Sequence, residues 1–328
     1  MDVELNQEQQ AFAQVAREFA QGELAPNAAR WDQECIFPTE TFKRAGELGF
    51  CGLYAPTKMG GLGLTRLDAT VVFEELAAVD PSTAAFLTIH NMAAWMVGTW
   101  GSDAVLDEFG ADLASGAILA SYCLTEPNAG SDAQSLQTSA EYRDGSYVLN
   151  GAKAFISGAG ETQLLIVMAR TGRAGAGGIS AFAVKADLPG ISYGRKELKM
   201  GWNSQSTRAV TFDNVVVPAH CLLSNEGEGF KLAMKGLMGG RINIATCSVG
   251  AAQGAMNIAR DYMRGRKQFN KDLTQFQALQ FKYADMATQV VAARQMVRLA
   301  ACKLDSDSPD ASVYCRSEEH TSELQSRL

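Results

Sequence analysis

Apolar side chains in the first 116 residues recur at helical spacing. After Asn6 they come every three or four positions as far as Pro26, at Phe12, Val15, Ala16, Phe19, Ala20 and Leu24. Asn6 and Gln9 form a capping-box pattern that predicts the helix start, and Pro26 ends the run. Further helices are predicted over 39–48, 67–79 and 82–99. The last is apolar on all sides, which predicts burial. Residues 1–116 are therefore predicted to form an N-terminal all-α domain.

From residue 117 the helical spacing gives way to short β-rich segments. They lie at 117–125, 139–143, 146–150, 152–157, 163–170, 179–186, 191–197 and 208–217. Turn signals such as Asp144-Gly145 and Asn150-Gly151 separate them. No crossover helices lie between these segments, so the middle domain, 117–222, is predicted to be an antiparallel β-barrel or sandwich.

The remaining chain is predicted to be helical again. Two long helices, at about 229–265 and 274–304, are joined by a short link and should pack antiparallel, and another helix begins near Asp307. A bundle needs about two more helices to bury both apolar stripes. The fold class is therefore an α+β multidomain protein, with an incomplete C-terminal helical bundle over 223–315.

The last 13 residues, 316–328, are predicted to be a non-native tail. Residues 316–326 match the translation of a common sequencing-library adapter, and they carry no helical apolar stripe. We therefore predict that Cys315 is the last native residue. The alternative is an ordinary disordered tail.

Composition narrows the class of protein. The net charge of −7 disfavours nucleic acid and anionic membranes as main partners. Seven cysteines without a C-x-x-C pair or a spacing shared with histidine indicate reduced thiols, so no metal site is predicted. The acidic start has no apolar core, which predicts a cytoplasmic protein without a signal or transit peptide. No complete G-x-G-x-x-G occurs, which disfavours a nicotinamide site.

Two neighbouring strand ends carry the candidate chemistry. The first is Tyr122-Cys-Leu-Thr-Glu-Pro-Asn-Ala-Gly-Ser-Asp132, where a strand breaks at Pro127 into a polar loop. By composition alone, a plain polar turn is the favoured interpretation. A second strand end, Lys153-Ala-Phe-Ile-Ser-Gly158, adds hydroxyls and an aromatic plane, and so raises the hypothesis of a ligand-binding rim.

Taken together, these motifs resemble those of the acyl-CoA dehydrogenase family. The resemblance covers residues 1 to about 315. It rests on Tyr122 to Asp132, Asn150-Gly-Ala-Lys-Ala-Phe-Ile-Ser157, Gly239-Gly-Arg241, and Arg266-Lys-Gln-Phe269 with Gln277. It implies FAD as cofactor, an acyl-CoA thioester as substrate, and α,β-dehydrogenation with hydride transfer to the flavin. It also implies electron-transfer flavoprotein as the electron acceptor and a homotetramer as the assembly.

The resemblance assigns roles to individual residues. Those implied in FAD binding are Tyr122, Leu124, Thr125, Phe155, Ile156, Ser157, Arg266, Phe269 and Gln277, the last three acting from a neighbouring subunit. Those implied in substrate binding are Ser131, Gly239, Gly240 and Arg241, with Ser131 towards the CoA portion. By itself Phe155 would be interpreted as a plain core aromatic. Asn270 departs from the glycine usual after Phe269.

No residue qualifies as the catalytic base. Relatives carry a glutamate either directly before the arginine that matches Arg241, where this chain has Gly240, or in later helices that this sequence does not reach. Glu126 belongs to the Thr-Glu-Pro turn and is interpreted as structural. General-base chemistry needs a carboxylate within reach of the α-proton, so the chain as given is predicted to be inactive. It is also predicted to fold poorly, because its C-terminal bundle is incomplete.

The sequence leaves alternatives for the acyl-CoA substrate and for the functional class of the protein. The segments 201–210 and 239–248 most resemble family members that convert isobutyryl-CoA to methacrylyl-CoA in valine breakdown. Butyryl-CoA and 2-methylbutyryl-CoA are alternative substrates, because pocket depth decides between them. A non-catalytic flavin or acyl-CoA-binding protein is the alternative from another class.

Overall fold

The computed structural model describes residues 4–323. It divides into two compact units, each discontinuous in sequence. One comprises the described parts of 1–28, 65–85 and 238–328, and the other comprises 29–64 and 86–237. None of the helices within 4–323 has an apolar stretch long enough to cross a bilayer. The three-domain division made from the sequence stays a prediction.

The predicted helices are present in the predicted order, and two further helices lie at 28–34 and 103–114. They are α1 Gln7–Phe19, α2 Ala28–Glu34, α3 Thr39–Glu47, α4 Arg66–Ala77, α5 Pro81–Trp100, α6 Asp103–Ala114, α7 Gly229–Gly265, α8 Gln277–Asp305 and α9 Ala311–Glu323. The capping box before α1 is confirmed, because the Asn6 side chain accepts from Gln9 N at 2.8 Å and Gln9 Oε1 accepts from Asn6 N at 3.2 Å. A π-helical turn, Ala20–Leu24, extends α1 towards Pro26.

The strands lie in one large sheet and one small hairpin. They are β1 Ala120–Cys123, β2 Ser139–Arg143, β3 Ser146–Ser157, β4 Leu164–Arg170, β5 Ile179–Lys185, β6 Ile191–Tyr193, β7 Thr207–Pro218, β8 Leu222–Leu223, β9 Lys267–Gln268 and β10 Lys271–Asp272. The large sheet runs β6-β7-β3-β2-β4-β5-β8, with β1 beside β4. The predicted fold class, helices on either side of a β-rich middle segment, is confirmed.

Two strand pairings are parallel, which corrects the prediction of an antiparallel middle domain. β1 pairs with β4 in parallel from Ala120↔Leu164 to Cys123↔Val167, and β2 meets β4 in parallel at Ser139↔Arg170. A parallel pair needs a long connection but not a helix. The β2–β3 hairpin supplies that connection between β1 and β4, so the absence of crossover helices did not exclude parallel pairing.

The segments predicted at 146–150 and 152–157 form a single strand, β3, which pairs with β7. Its register slips between Leu149 and Gly151 and again between Lys153 and Ile156. The extra residue belongs to β7 at the first slip and to β3 at the second. Such a β-bulge bends the strand that carries the extra residue and redirects a side chain. The second bulge contains Phe155, so it determines where that ring points.

A buried histidine ties α5 to the start of β1. The His90 Nδ1 atom accepts from Ala120 N at 3.1 Å, and Nε2 lies 3.0 Å from the carbonyl oxygen of Leu113. The side chain is fully buried. These partners require the neutral tautomer with its proton on Nε2. Ala120 begins the strand that ends at the candidate site, so His90 helps to position that strand.

In the first unit, α7 packs on α4 through glycines. A Cβ at Gly250 would overlap the Glu74 carbonyl oxygen, and one at Gly254 would overlap that of Ala78. The two backbones therefore touch, and no side chain fits between them. At the far end of α8, the Asp305 carboxylate accepts from Arg66 N at 2.7 Å and Leu67 N at 3.0 Å, which caps the first turn of α4.

We expect Gly254→Ala to lower the free energy of unfolding by about 1–3 kcal/mol, because α4 and α7 must separate to admit a methyl group. Urea or thermal denaturation followed by circular dichroism measures this. Gly22→Ala is the matched control, since a Cβ there meets nothing within 4 Å. The control should be neutral or stabilising by a few tenths of a kcal/mol. Equal effects of the two substitutions would contradict the packing argument.

The predicted helix near Asp307 is confirmed as α9, and it continues into the suspected tail as far as Glu323. The sequence was expected to carry no helical stripe from residue 316. Residues 316–323 contain neither proline nor glycine, so a helix already begun can propagate through them. Residues 324–328 of the predicted tail lie outside the described residues.

Candidate functional site

The two strand ends singled out in the sequence lie side by side in the second unit. Ala154 N donates to the Thr125 carbonyl oxygen at 2.9 Å, and Ser121 Oγ donates to the Ser157 carbonyl oxygen at 2.6 Å. The end of β1 and the bulged end of β3 therefore form one continuous edge. The predicted proximity of these two segments is confirmed.

A buried ion pair holds this edge together. Lys153 Nζ lies 2.8 Å from Glu126 Oε1, and the two side chains are 0% and 7% exposed. Lys153 also donates to the Leu124 carbonyl oxygen at 3.1 Å, while Glu126 accepts from Gln137 N at 2.6 Å and Thr138 N at 2.9 Å. The pair fastens β3 to the turn that follows β1.

The electrostatics keep Glu126 ionised. Burial acts to raise its pKa, but the Lys153 ammonium and the backbone N–H of Gln137 outweigh burial and hold the pKa below the usual range. A carboxylate with this pKa and these fixed partners is a poor proton acceptor for a substrate. The interpretation of Glu126 as a structural residue agrees with this geometry.

Phe155 corrects the interpretation of a plain core aromatic. It has a φ of +57° inside the β3 bulge, and 67% of its surface is exposed. A bulky residue in the left-handed region is strained and persists only where its surroundings hold it. Lys153 and Ile156, 0% and 2% exposed, anchor the bulge on either side. The result is an open aromatic face at the edge of the site.

The remaining predicted residues of this edge differ in burial. Leu124 is buried, Thr125 and Ser157 are half-buried, and Ser131 is exposed on the loop beyond Pro127. The Tyr122 hydroxyl is buried and has no hydrogen-bond partner among the described residues. Buried hydroxyls in folded proteins normally form a hydrogen bond to protein or to a bound molecule. An unpartnered hydroxyl, the Thr125 side chain and an open aromatic face fit a flat ring system with polar edges, as a flavin is.

The first unit presents a second group of predicted residues, at the hairpin between α7 and α8. Phe269 and Asn270 have φ values of +53° and +57°, and β9 and β10 pair on either side of them. Two left-handed central residues define a type I′ turn, which asparagine tolerates well. Asn270 therefore fulfils the role of the glycine it replaces. Phe269 is 86% exposed, and Arg266 and Gln277 are exposed as well.

Gly239, Gly240 and Arg241 lie on α7 in the first unit. Gly239 is buried, and a Cβ there would lie 2.6 Å from Arg66 Nη1. Arg66 is itself only 7% exposed. The guanidinium therefore lies where a larger residue at 239 would press against it. Sequence reasoning missed Arg66, because no motif surrounds it; Lys153 was visible inside the Asn-Gly-Ala-Lys motif but received no role.

Comparison with protein-family models matches three parts of the chain. Residues 6–117 match the acyl-CoA dehydrogenase N-terminal domain, 121–215 the middle domain, and 227–319 the C-terminal domain. Together these matches cover most of the chain in the expected order.

Individual relatives agree with the family match. The bovine mitochondrial isobutyryl-CoA dehydrogenase is 49% identical over 311 residues, which cover 95% of this chain and 75% of the relative. The structure of butyryl-CoA dehydrogenase from Megasphaera elsdenii superposes with a TM-score of 0.94 at 37% identity, covering 99% of this chain and 86% of that one. The FAD complex of PigA superposes with a TM-score of 0.93 at 26% identity, with the same coverage.

The matches span both units and include the segments 122–132, 150–157 and 239–241 from which the resemblance was first drawn. The chain therefore belongs to the acyl-CoA dehydrogenase family, flavin-dependent oxidoreductases that act on acyl-CoA thioesters.

Proposed function

We propose that the protein acts on a short branched-chain acyl-CoA, with isobutyryl-CoA as the substrate and methacrylyl-CoA as the product. The observation that carries this proposal is the 49% identity, over 95% of the chain, to an enzyme named isobutyryl-CoA dehydrogenase. Butyryl-CoA is the second candidate, because a butyryl-CoA dehydrogenase shares the fold at 37% identity. 2-Methylbutyryl-CoA is the third candidate substrate.

FAD is the proposed cofactor, and its chemistry is to accept a hydride from the substrate when bound. Tyr122, Leu124, Thr125, Ile156 and Ser157 would hold its ring system along the edge of β1 and β3. The open face of Phe155 would cover the ring. The unpartnered Tyr122 hydroxyl and the strained Phe155 backbone support this assignment.

Arg266, Phe269 and Gln277 are proposed to bind the FAD of a neighbouring subunit in a homotetramer. All three are exposed in the single chain, as side chains that complete a partner's site must be. Arginine offers a fixed fork of donors suited to a pyrophosphate. Electron-transfer flavoprotein is the proposed electron acceptor.

Ser131, Gly239, Gly240 and Arg241 are proposed to bind the acyl-CoA substrate. Ser131 is exposed on the loop after β1, where a long CoA portion could reach it. The cytoplasmic location stays a prediction, and the seven free cysteines support a reducing compartment.

We further propose that the 328-residue chain lacks the catalytic base. Gly240 stands where some relatives carry a glutamate, and Glu126 is fixed by Lys153 and two backbone donors. The chain covers 75% of the bovine relative's length. A base supplied by the uncovered quarter would complete the site.

The test compares two proteins, the 328-residue chain and a chimera in which the bovine relative's remaining C-terminal segment replaces residues 316–328. With FAD, isobutyryl-CoA and an electron-accepting dye, the first should show no turnover above background and the second should be active. Parallel assays with butyryl-CoA and 2-methylbutyryl-CoA rank the substrates. Normal turnover by the 328-residue chain would refute the missing base. An inactive chimera that retains FAD and binds CoA esters would favour the non-catalytic binding protein.

A further inference from the structure

Glu108, His220 and Cys221 come together in the second unit. Glu108 is on α6, and the other two lie in the 3₁₀ turn Ala219–Cys221 just before β8. One donor atom from each lies within 4.8 Å of the other two. The sequence predicted no metal site, because the cysteine spacings indicated none. Glu108 lies 112 residues before His220, and only the fold brings the two together.

The spacing of the donor atoms suits a small tetrahedral cation. His220 Nε2 lies 3.0 Å from Glu108 Oε2 and 3.6 Å from Cys221 Sγ. Metal bonds of about 2.0–2.3 Å to nitrogen, oxygen and sulfur place neighbouring tetrahedral ligands roughly 3.3–3.6 Å apart. The His220–Glu108 and His220–Cys221 spacings differ from this range by at most a few tenths of an ångström, and the third pair of donor atoms lies within 4.8 Å.

The second carboxylate oxygen of Glu108 is already held. Lys185 Nζ lies 2.6 Å from Glu108 Oε1, which leaves Oε2 directed at His220. Hydrogen-bonded outer partners of this kind orient metal ligands. Glu108 and Lys185 also line a cleft of about 450 Å³, so an ion has access from solvent.

We propose that Glu108, His220 and Cys221 form a binding site for Zn²⁺. One thiolate, one imidazole and one carboxylate are a donor set that zinc accepts, whereas Mg²⁺ and Ca²⁺ require oxygen ligands. Three protein ligands leave the fourth position to water. The ion would link α6 to the turn before β8 and so stabilise the second unit. This role is separate from dehydrogenation.

The first measurement is a titration of the chelator-treated 328-residue chain with Co²⁺, a spectroscopic substitute for zinc. Binding should saturate at one equivalent and produce a thiolate-to-cobalt charge-transfer band, which Zn²⁺ then abolishes by displacement. At a Zn²⁺ concentration of 100 times its dissociation constant, the folding equilibrium constant should rise about 100-fold, seen as a higher Tm. Absence of the band would overturn the proposal.

Variants assign the ligands. Cys221→Ser should remove the charge-transfer band, and His220→Gln and Glu108→Gln should each weaken Co²⁺ binding at least about tenfold. Cys35→Ser, at an exposed thiol, is the matched control and should bind as the parent does. His220 is 42% exposed, so its replacement leaves the core intact if the buried Cys221 variant misfolds. Unchanged binding by His220→Gln, or a band lost in Cys35→Ser, would overturn the assignment.

Discussion

Replacing Lys153 with methionine is expected to cost about 3–5 kcal/mol of unfolding free energy and to abolish retention of FAD. The substitution leaves the Glu126 carboxylate buried without its counter-ion, and an uncompensated buried charge carries a penalty of this size. It also frees the Leu124 carbonyl oxygen from its Lys153 bond. The β3 bulge then loses the anchor that precedes Phe155. Denaturant unfolding measures the stability, and the absorbance of the purified protein reports bound flavin.

Lys43→Met is the matched control. Lys43 forms the same kind of pair with Glu40, at 2.8 Å, but the two side chains are 49% and 74% exposed. An exposed pair three residues apart on a helix contributes about 0.5 kcal/mol at most. The Lys43 variant should therefore retain its flavin and nearly all its stability. If the two variants behave alike, the buried pair does not hold the site together.

Acidification is expected to destabilise the protein through His90. Burial lowers the pKa of His90 to about 4, while the unfolded chain binds the proton near 6.5. The folded state therefore keeps the neutral ring, and the stability that follows is present above pH 6.5 and is lost as the pH falls towards 4. This difference in pKa corresponds to a loss of about 3 kcal/mol in the free energy of unfolding between pH 6.5 and pH 4.

His90→Gln tests the linkage, because a glutamine keeps an N–H donor for the Leu113 carbonyl oxygen but does not titrate. Urea unfolding at several pH values between 4 and 7 should show a shallower loss of stability than in the parent. Cys35→Ser, at an exposed side chain, is the control for substitution itself and should keep the parent's slope. A slope unchanged in His90→Gln would place the acid sensitivity in other groups.

Local chemistry explains the predictions that succeeded. The Asn6 capping box uses residues three apart, so the sequence contains the whole interaction. The alternation of helical and β-rich segments likewise depends on near neighbours, and it produced the order of elements and the fold class. The sequence also placed the strand ends at 122–132 and 153–158. One local prediction was wrong: 146–150 and 152–157 were expected as separate strands, but they form the single strand β3, with a register slip in place of the expected turn.

Features that depend on residues distant in sequence became visible only in the folded structure. The bulge explains why Phe155 is exposed at a φ of +57°, since pairing with β7 imposes the register slip. The parallel pairing of β1 and β4 depends on how an intervening hairpin folds back. Neither the periodicity of a strand nor its composition records which strand lies beside it.

By itself, the sequence determined the order of helices and strands, the family, and the two strand ends that form the candidate site, because each depends on short motifs and periodicities. The tertiary structure alone decided that Lys153 and Glu126 form a buried pair and that Glu108 meets His220 and Cys221. The physical reason is distance along the chain. Burial and ion pairing act between side chains that are neighbours in space, and residues 27 or 112 positions apart become neighbours only after the strands and helices have packed.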